Sequence, residues 1–170
     1  RRYMADNLIK VGIIGLGRAG WGMHGPELEH FKDKFKIVAA CDIEADYRQR
    51  FAEKYACRVY ENLKDLIADP DVELVDVASR STQHVDHALL GLKAGKYVFI
   101  EKPISVSYNE ALKLDRLPPK LKKKMFIRHN RRFEPGFQHI REIIASGILG
   151  DVYEIKLHRN SYGRRDDWQT

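Results

Sequence analysis

Leu8-Ile9-Lys10-Val11-Gly12-Ile13-Ile14-Gly15-Leu16-Gly17-Arg18-Ala19-Gly20 is the stretch that decides the fold. Leu8 to Ile14 is rich in Ile and Val and reads as a strand. It closes directly on Gly15-Leu16-Gly17-Arg18-Ala19-Gly20, a G-x-G-x-x-G pattern, and helical sequence follows. Glycines are common in turns, so the pattern alone is weak; directly after a strand and opening a helix it acquires a mechanism. Gly15 permits the tight turn, Gly17 lets a pyrophosphate approach the backbone, and Gly20 lets helix and strand pack closely. The helix N-terminus then offers unpaired N–H groups and a positive dipole end to phosphates. Gly15, Leu16, Gly17, Arg18, Ala19 and Gly20 are therefore candidate cofactor-binding residues. The plainer alternative is a strand, a turn and a helix with no ligand.

The next strand outward, Lys36 to Cys41, ends at Asp42, 22 positions after Gly20. A dinucleotide-binding domain places an acidic residue near there for the adenosine ribose hydroxyls. A carboxylate accepts hydrogen bonds from a ribose diol and repels a 2′-phosphate, so NAD is the expected cofactor and NADP the less favoured one. Arg48, on the helix that follows, is the nearest residue able to reverse this preference; its plainer role is a solvated helix side chain.

Further apolar runs follow at Val72 to Ala78, Tyr97 to Ile100 and Met125 to Ile127, with a short strand possible near Arg58 to Tyr60. Near-continuous apolarity in short runs fits strands covered on both faces, as in a parallel sheet. Helices lie between them. Asn62 caps Leu63, Leu66 and Ile67, and Pro70 stops that helix. Val85, Ala88, Leu89 and Leu92 form one helical face ended by Gly95, and Ser107 with Glu110 forms a capping box. Leu117-Pro118-Pro119 reads as a rigid loop. The alternation predicts an α/β fold, a doubly wound parallel sheet of the Rossmann type, with ligands at the carboxyl ends of the strands.

The pattern changes after Ile127. Phe137, Ile140, Ile143 and Ile144 mark a helix ending at Gly147, and Val152 to Leu157 alternates as a strand should. One helix and one strand cannot bury a core alone. The expected organisation is a dinucleotide-binding Rossmann domain over residues 1–130, then over residues 131–170 the opening of an incomplete α+β substrate domain.

Composition narrows the class. The chain has 170 residues, 44% of them hydrophobic, and a net charge of +6. The charge collects at Lys120 to Lys124, Arg128 to Arg132 and Arg164-Arg165. With no aromatic-interleaved basic stripe, a solvated surface is expected and nucleic acid is not. Neither a membrane span nor a signal peptide is read. Met4 is the expected native start, with Arg1 to Tyr3 extraneous. Cys41 and Cys57, in apolar segments, fit reduced buried thiols of a cytoplasmic protein. No His, Cys and carboxylate grouping has metal-ligand spacing, so no metal is expected.

Glu101-Lys102-Pro103 closes a strand where a doubly wound sheet places its ligands. Ala94-Gly95-Lys96-Tyr97-Val98 leads into it, and Asn130-Arg131-Arg132-Phe133 and Ser146-Gly147-Ile148-Leu149-Gly150-Asp151-Val152 follow. With the glycine loop, these resemble the glucose–fructose oxidoreductase and inositol dehydrogenase (Gfo/Idh/MocA) family from Leu8 to about Trp168. The resemblance implies an NAD(P)-dependent oxidoreductase acting on a secondary alcohol of a sugar or polyol. It assigns Lys102 to catalysis beside nicotinamide and substrate, and favours a cis peptide at Pro103. An ammonium near the carbinol oxygen stabilises charge developing there; the plainer reading of Lys102 is a surface lysine before a turn proline. Ser79, Arg80, His84 and Glu101 join the candidate cofactor contacts, although Ser79-Arg80-Ser81-Thr82 departs from the family's usual turn. Arg131 matches a position facing substrate, or is a surface charge. The family's aspartate and histidine acid/base are implied beyond Thr170, so the chain is expected to bind cofactor without turning over. A homo-oligomer is possible for the full-length protein, and a non-catalytic NAD(P)-binding regulator is the alternative function.

Overall fold

The computed structural model describes residues 8–158, 160 and 162. The expectations for Met4, Arg1 to Tyr3, Arg164-Arg165 and Trp168 fall outside the described residues. Residues through His129 form one unit and those from Asn130 form another.

The first unit alternates strands and helices. Strand β1 (Ile9–Ile14) leads through the glycine loop into a π-helical segment (Gly20–His24) that continues as α1 (Gly25–His30). Then follow β2 (Phe35–Cys41), α2 (Ala45–Tyr55), β3 (Arg58–Tyr60), α3 (Leu63–Ala68) and β4 (Leu74–Val77). After these come α4 (His84–Lys93), β5 (Tyr97–Ile100), α5 (Tyr108–Asp115), α6 (Pro119–Lys122) and β6 (Met125–Ile127). All strand pairs are parallel, in the order β3-β2-β1-β4-β5-β6. The α/β, doubly wound reading holds.

Register explains where a ligand can sit. Ile14 pairs with Cys41 on one side and Val77 on the other, Val77 pairs with Ile100, and Ile100 with Ile127. The strands therefore finish level, and the loops carrying Gly15, Asp42, Ser79 and Glu101 rise from one edge. Between β1 and β4 the order reverses, which opens the crevice where doubly wound sheets bind ligands.

Both sheet faces are covered, and the strand period of two divides the core. Val11 and Ile13 of β1 pack with Ile37, Ala40 and Phe51. Ile14 faces the other way, with Ala39, Cys41, Val75, Val77, Leu92 and Leu114. Fully burying one such aliphatic side chain contributes about 1.5–3 kcal/mol.

Helix ends mostly follow their sequence signals. Asn62 accepts from Lys64 N at 2.9 Å. Ser107 accepts from Glu110 N at 3.3 Å, but Glu110 Oε2 is buried without a partner, so only half of the expected capping box forms. Leu117-Pro118-Pro119 is not all loop: proline suits a first helical position, and Pro119 opens α6.

In the second unit, a 3-10 turn (Asn130–Phe133) precedes α7 (Pro135–Ala145). The expected strand from Val152 to Leu157 is absent; these residues adopt no regular element, and Tyr153, Ile155 and Leu157 are exposed. Alternation prepares a segment for a sheet, but a strand is completed by backbone pairing, and no described segment pairs with this one.

Candidate cofactor site

The three loop glycines do three different jobs. Gly15 has φ +89, and a Cβ there would lie 2.6 Å from Ser79 Cα, so only glycine lets β1 turn so close to the β4 loop. A Cβ on Gly20 would meet Gly15 O at 2.0 Å, which is the close packing of helix against strand. Gly17 differs: a Cβ there would meet nothing within 4 Å. No protein atom requires glycine at position 17, and the space beside its backbone is open. Arg18 is exposed and Leu16 buried, and a helical turn opens at Arg18.

Asp42 sits against this loop. Its Oδ2 accepts from Leu16 N at 2.6 Å and its Oδ1 from Glu44 N at 3.0 Å. Each oxygen keeps a lone pair for a further donor such as a ribose hydroxyl. Arg48 does not reach outward. Its Nη1 donates to the Asp42 carbonyl at 2.8 Å and to the Ile43 carbonyl at 2.9 Å, and its Nη2 lies 3.5 Å from Glu61 Oε2.

On the far side of the crevice, Lys102 is exposed and the Lys102-Pro103 peptide is cis. Glu101 is buried and turned inward: its Oε2 accepts from Lys102 N at 2.9 Å, and its Oε1 lies 3.6 Å from Arg128 Nη1. Arg128 also pairs with Glu27 of α1. His84 bridges two loops, with Nδ1 at 2.7 Å from the Pro103 carbonyl and Nε2 at 3.0 Å from the Ser79 carbonyl. Ser79 Oγ lies 3.0 Å from His87 Nδ1, and burial, with the nearby His84, holds the His87 imidazolium below its usual range. Arg80 is exposed. Gly15 to Gly20, Asp42, Ser79, Glu101 and Lys102 thus share one edge of the sheet. Arg131 belongs to the second unit, where it pairs with Glu134 at 2.6 Å.

Sequence reading missed a buried ion pair beneath this edge. His24 Nδ1 lies 2.8 and 2.9 Å from the Asp76 carboxylate oxygens, with both side chains all but sealed from solvent. Burial alone would depress the His24 imidazolium, but the hydrogen bond and charge of Asp76 outweigh it and hold it above its ordinary value. The available signal was Asp76 itself, a carboxylate inside the apolar run Leu74–Val77. Such a group needs a buried partner.

These residues fit a dinucleotide: a backbone open at Gly17 and a fixed carboxylate at Asp42 against the same loop. Among the described residues no group of three or more His, Cys, Asp and Glu could hold a metal ion, and no helix is long and apolar enough to cross a membrane. Cys41 and Cys57 are free thiols, both pushed up to about 11, chiefly by burial.

Comparison with known proteins agrees with the geometry. Residues 9–129 match the oxidoreductase family with an NAD-binding Rossmann fold, Gfo/Idh/MocA. Inositol 2-dehydrogenase of Salmonella typhimurium is 36% identical over 145 residues, covering 84% of this chain and 43% of that protein. The scyllo-inositol 2-dehydrogenase (NADP(+)) IolW of Bacillus subtilis is 32% identical over 155 residues, covering 91% of this chain and 42% of its own. Among solved structures, scyllo-inositol dehydrogenase of Lactobacillus casei, with bound NAD(H) and scyllo-inositol, superposes with a TM-score of 0.75 at 25% identity, over 85% of this chain and 43% of that one. The chain spans less than half the length of these proteins.

Proposed function

The chain belongs to the Gfo/Idh/MocA oxidoreductase family, and from that premise we propose that it forms the NAD-binding part of a dehydrogenase for a secondary alcohol of a sugar or polyol. The observation that carries the reading is the Asp42 carboxylate fixed 2.6 Å from Leu16 N, inside a glycine loop open only at Gly17. A bound nicotinamide dinucleotide would supply the hydride acceptor or donor for the alcohol–carbonyl interconversion. The loop from Gly15 to Gly20 would hold its phosphates against the open backbone at Gly17, and Asp42 would accept from the adenosine ribose diol. Lys102 presents an ammonium to the substrate oxygen, stabilising negative charge there and holding its proton. Glu101 and His84 act through the backbone: Glu101 fixes Lys102 N, and His84 joins the Pro103 and Ser79 carbonyls.

Named relatives use either NAD(H) or NADP(+). Here the Asp42 carboxylate favours NAD, since a 2′-phosphate would meet like charge. Substrate contacts at Arg131 and an acid/base histidine outside this chain complete the proposed enzyme, so the chain alone binds cofactor without turnover. Calorimetric titration with NAD and NADP tests the assignment. NAD is expected to bind more tightly, and Asp42→Ala to narrow the gap; equal affinities in the unmodified chain would remove the basis for NAD.

A further inference from the structure

We infer that Arg48 is a positioning residue for cofactor discrimination, acting through the main chain of Asp42 and not through contact with the cofactor; this rests on the dinucleotide reading above. An arginine on the first helix after the acidic residue is the obvious candidate for a 2′-phosphate partner. The geometry points elsewhere. Its Nη1 is shared between the Asp42 and Ile43 carbonyls, at 2.8 and 2.9 Å, and its side chain is only 17% exposed. The third contact, Nη2 to Glu61 Oε2 at 3.5 Å, links the same guanidinium to the residue just after β3. Nη1 thus spends its donors on the chain's own backbone, and Nη2 turns to Glu61.

The consequence follows from what that backbone carries. Asp42 is the first residue after β2, with its N–H bonded to Tyr60 O at 3.3 Å. Its carboxylate is aimed by two backbone donors, Leu16 N from the glycine loop and Glu44 N from its own turn. Pinning the Asp42 and Ile43 carbonyls as well leaves the residue little freedom to rotate away. A carboxylate held in place accepts from a diol without an ordering cost and cannot withdraw from a phosphate; a loosened one can do the reverse. Arg48 therefore sharpens the preference for NAD, although its charge alone would favour NADP.

The two roles predict opposite signs. Arg48→Met keeps the aliphatic stem and removes every donor. If Arg48 positions Asp42, the NAD-over-NADP affinity ratio falls about tenfold, the scale of one hydrogen bond to a charged group. Arg48→Lys restores most of the ratio, because a single ammonium can bridge two carbonyls now served by one nitrogen. If Arg48 instead grips a 2′-phosphate, Arg48→Met weakens NADP selectively and the ratio rises, which overturns the inference. A parallel loss of both affinities, the mark of general destabilisation, overturns it too. A second measurement needs no cofactor. In the unliganded chain, the Leu16 amide proton should lose its downfield shift and exchange protection in Arg48→Met and keep both in Arg48→Lys. An unmoved Leu16 amide refutes the positioning role even if the chain binds no dinucleotide, whereas absence of binding with a shifted amide refutes only the dinucleotide reading.

Discussion

Replacing Asp76 by Asn probes the ion pair under the site with little change of shape. In the folded protein the His24 imidazolium is held above its ordinary 6.5, so between 6.5 and the raised value the folded state binds more protons than the unfolded. Stability is then fully present below about 6.5 and is lost as pH rises through the folded value. One proton corresponds to a slope of at most about 1.4 kcal/mol per pH unit. The side chains of His24 and Asp76 are 2% and 4% exposed, so solvent screening takes little from this figure. Asn cannot hold the charge, and breaking a buried pair from one side costs about 3–5 kcal/mol. The cost is greatest near pH 6 and shrinks with rising pH, because a neutral His24 no longer misses its partner. The assay is urea unfolding followed by circular dichroism, from about pH 6.5 to 8.5. Below that range the depressed His87 loses stability as pH falls, with the opposite sign, and above it the raised thiols begin to contribute. The unmodified chain should lose stability across the window while Asp76→Asn stays flat, so the two curves converge. Parallel curves would refute the argument.

Two glycine substitutions should separate folding from binding. Gly20→Ala puts a Cβ on the Gly15 carbonyl, backbone that cannot swing aside, and should cost about 1–3 kcal/mol, read as a lowered Tm. Gly17→Ala meets no protein atom and should keep Tm while weakening NAD in calorimetry; unchanged affinity would displace the phosphates from this loop. On a polyol panel followed by NADH absorbance, the 170-residue chain should bind cofactor and show no steady turnover. Rates ordinary for a dehydrogenase, roughly 1–10³ per second, would show that the groups already present suffice.

What could be read from the sequence was what neighbouring residues decide among themselves. Runs such as Leu8 to Ile14 carry the strand period, the glycines follow the strand directly, and Asn62 and Ser107 announce helix starts. These local signals were enough for a doubly wound parallel sheet, and placed Gly15 to Gly20, Asp42 and Lys102 on its carboxyl edge. Tertiary structure decided whatever depends on residues distant in the chain. His24 finds Asp76, Arg128 finds Glu27 and Glu101, and Arg48 turns back onto the Asp42 carbonyl. Glu101, placed by its motif among the cofactor contacts, has its carboxylate on Lys102 N and Arg128. Val152 to Leu157 shows the same division from the other side: its alternation is written in the sequence, yet no strand forms. A helix closes its hydrogen bonds within its own few turns, whereas a strand or a buried ion pair is completed by a partner elsewhere in the chain, and the local pattern does not say which partner arrives.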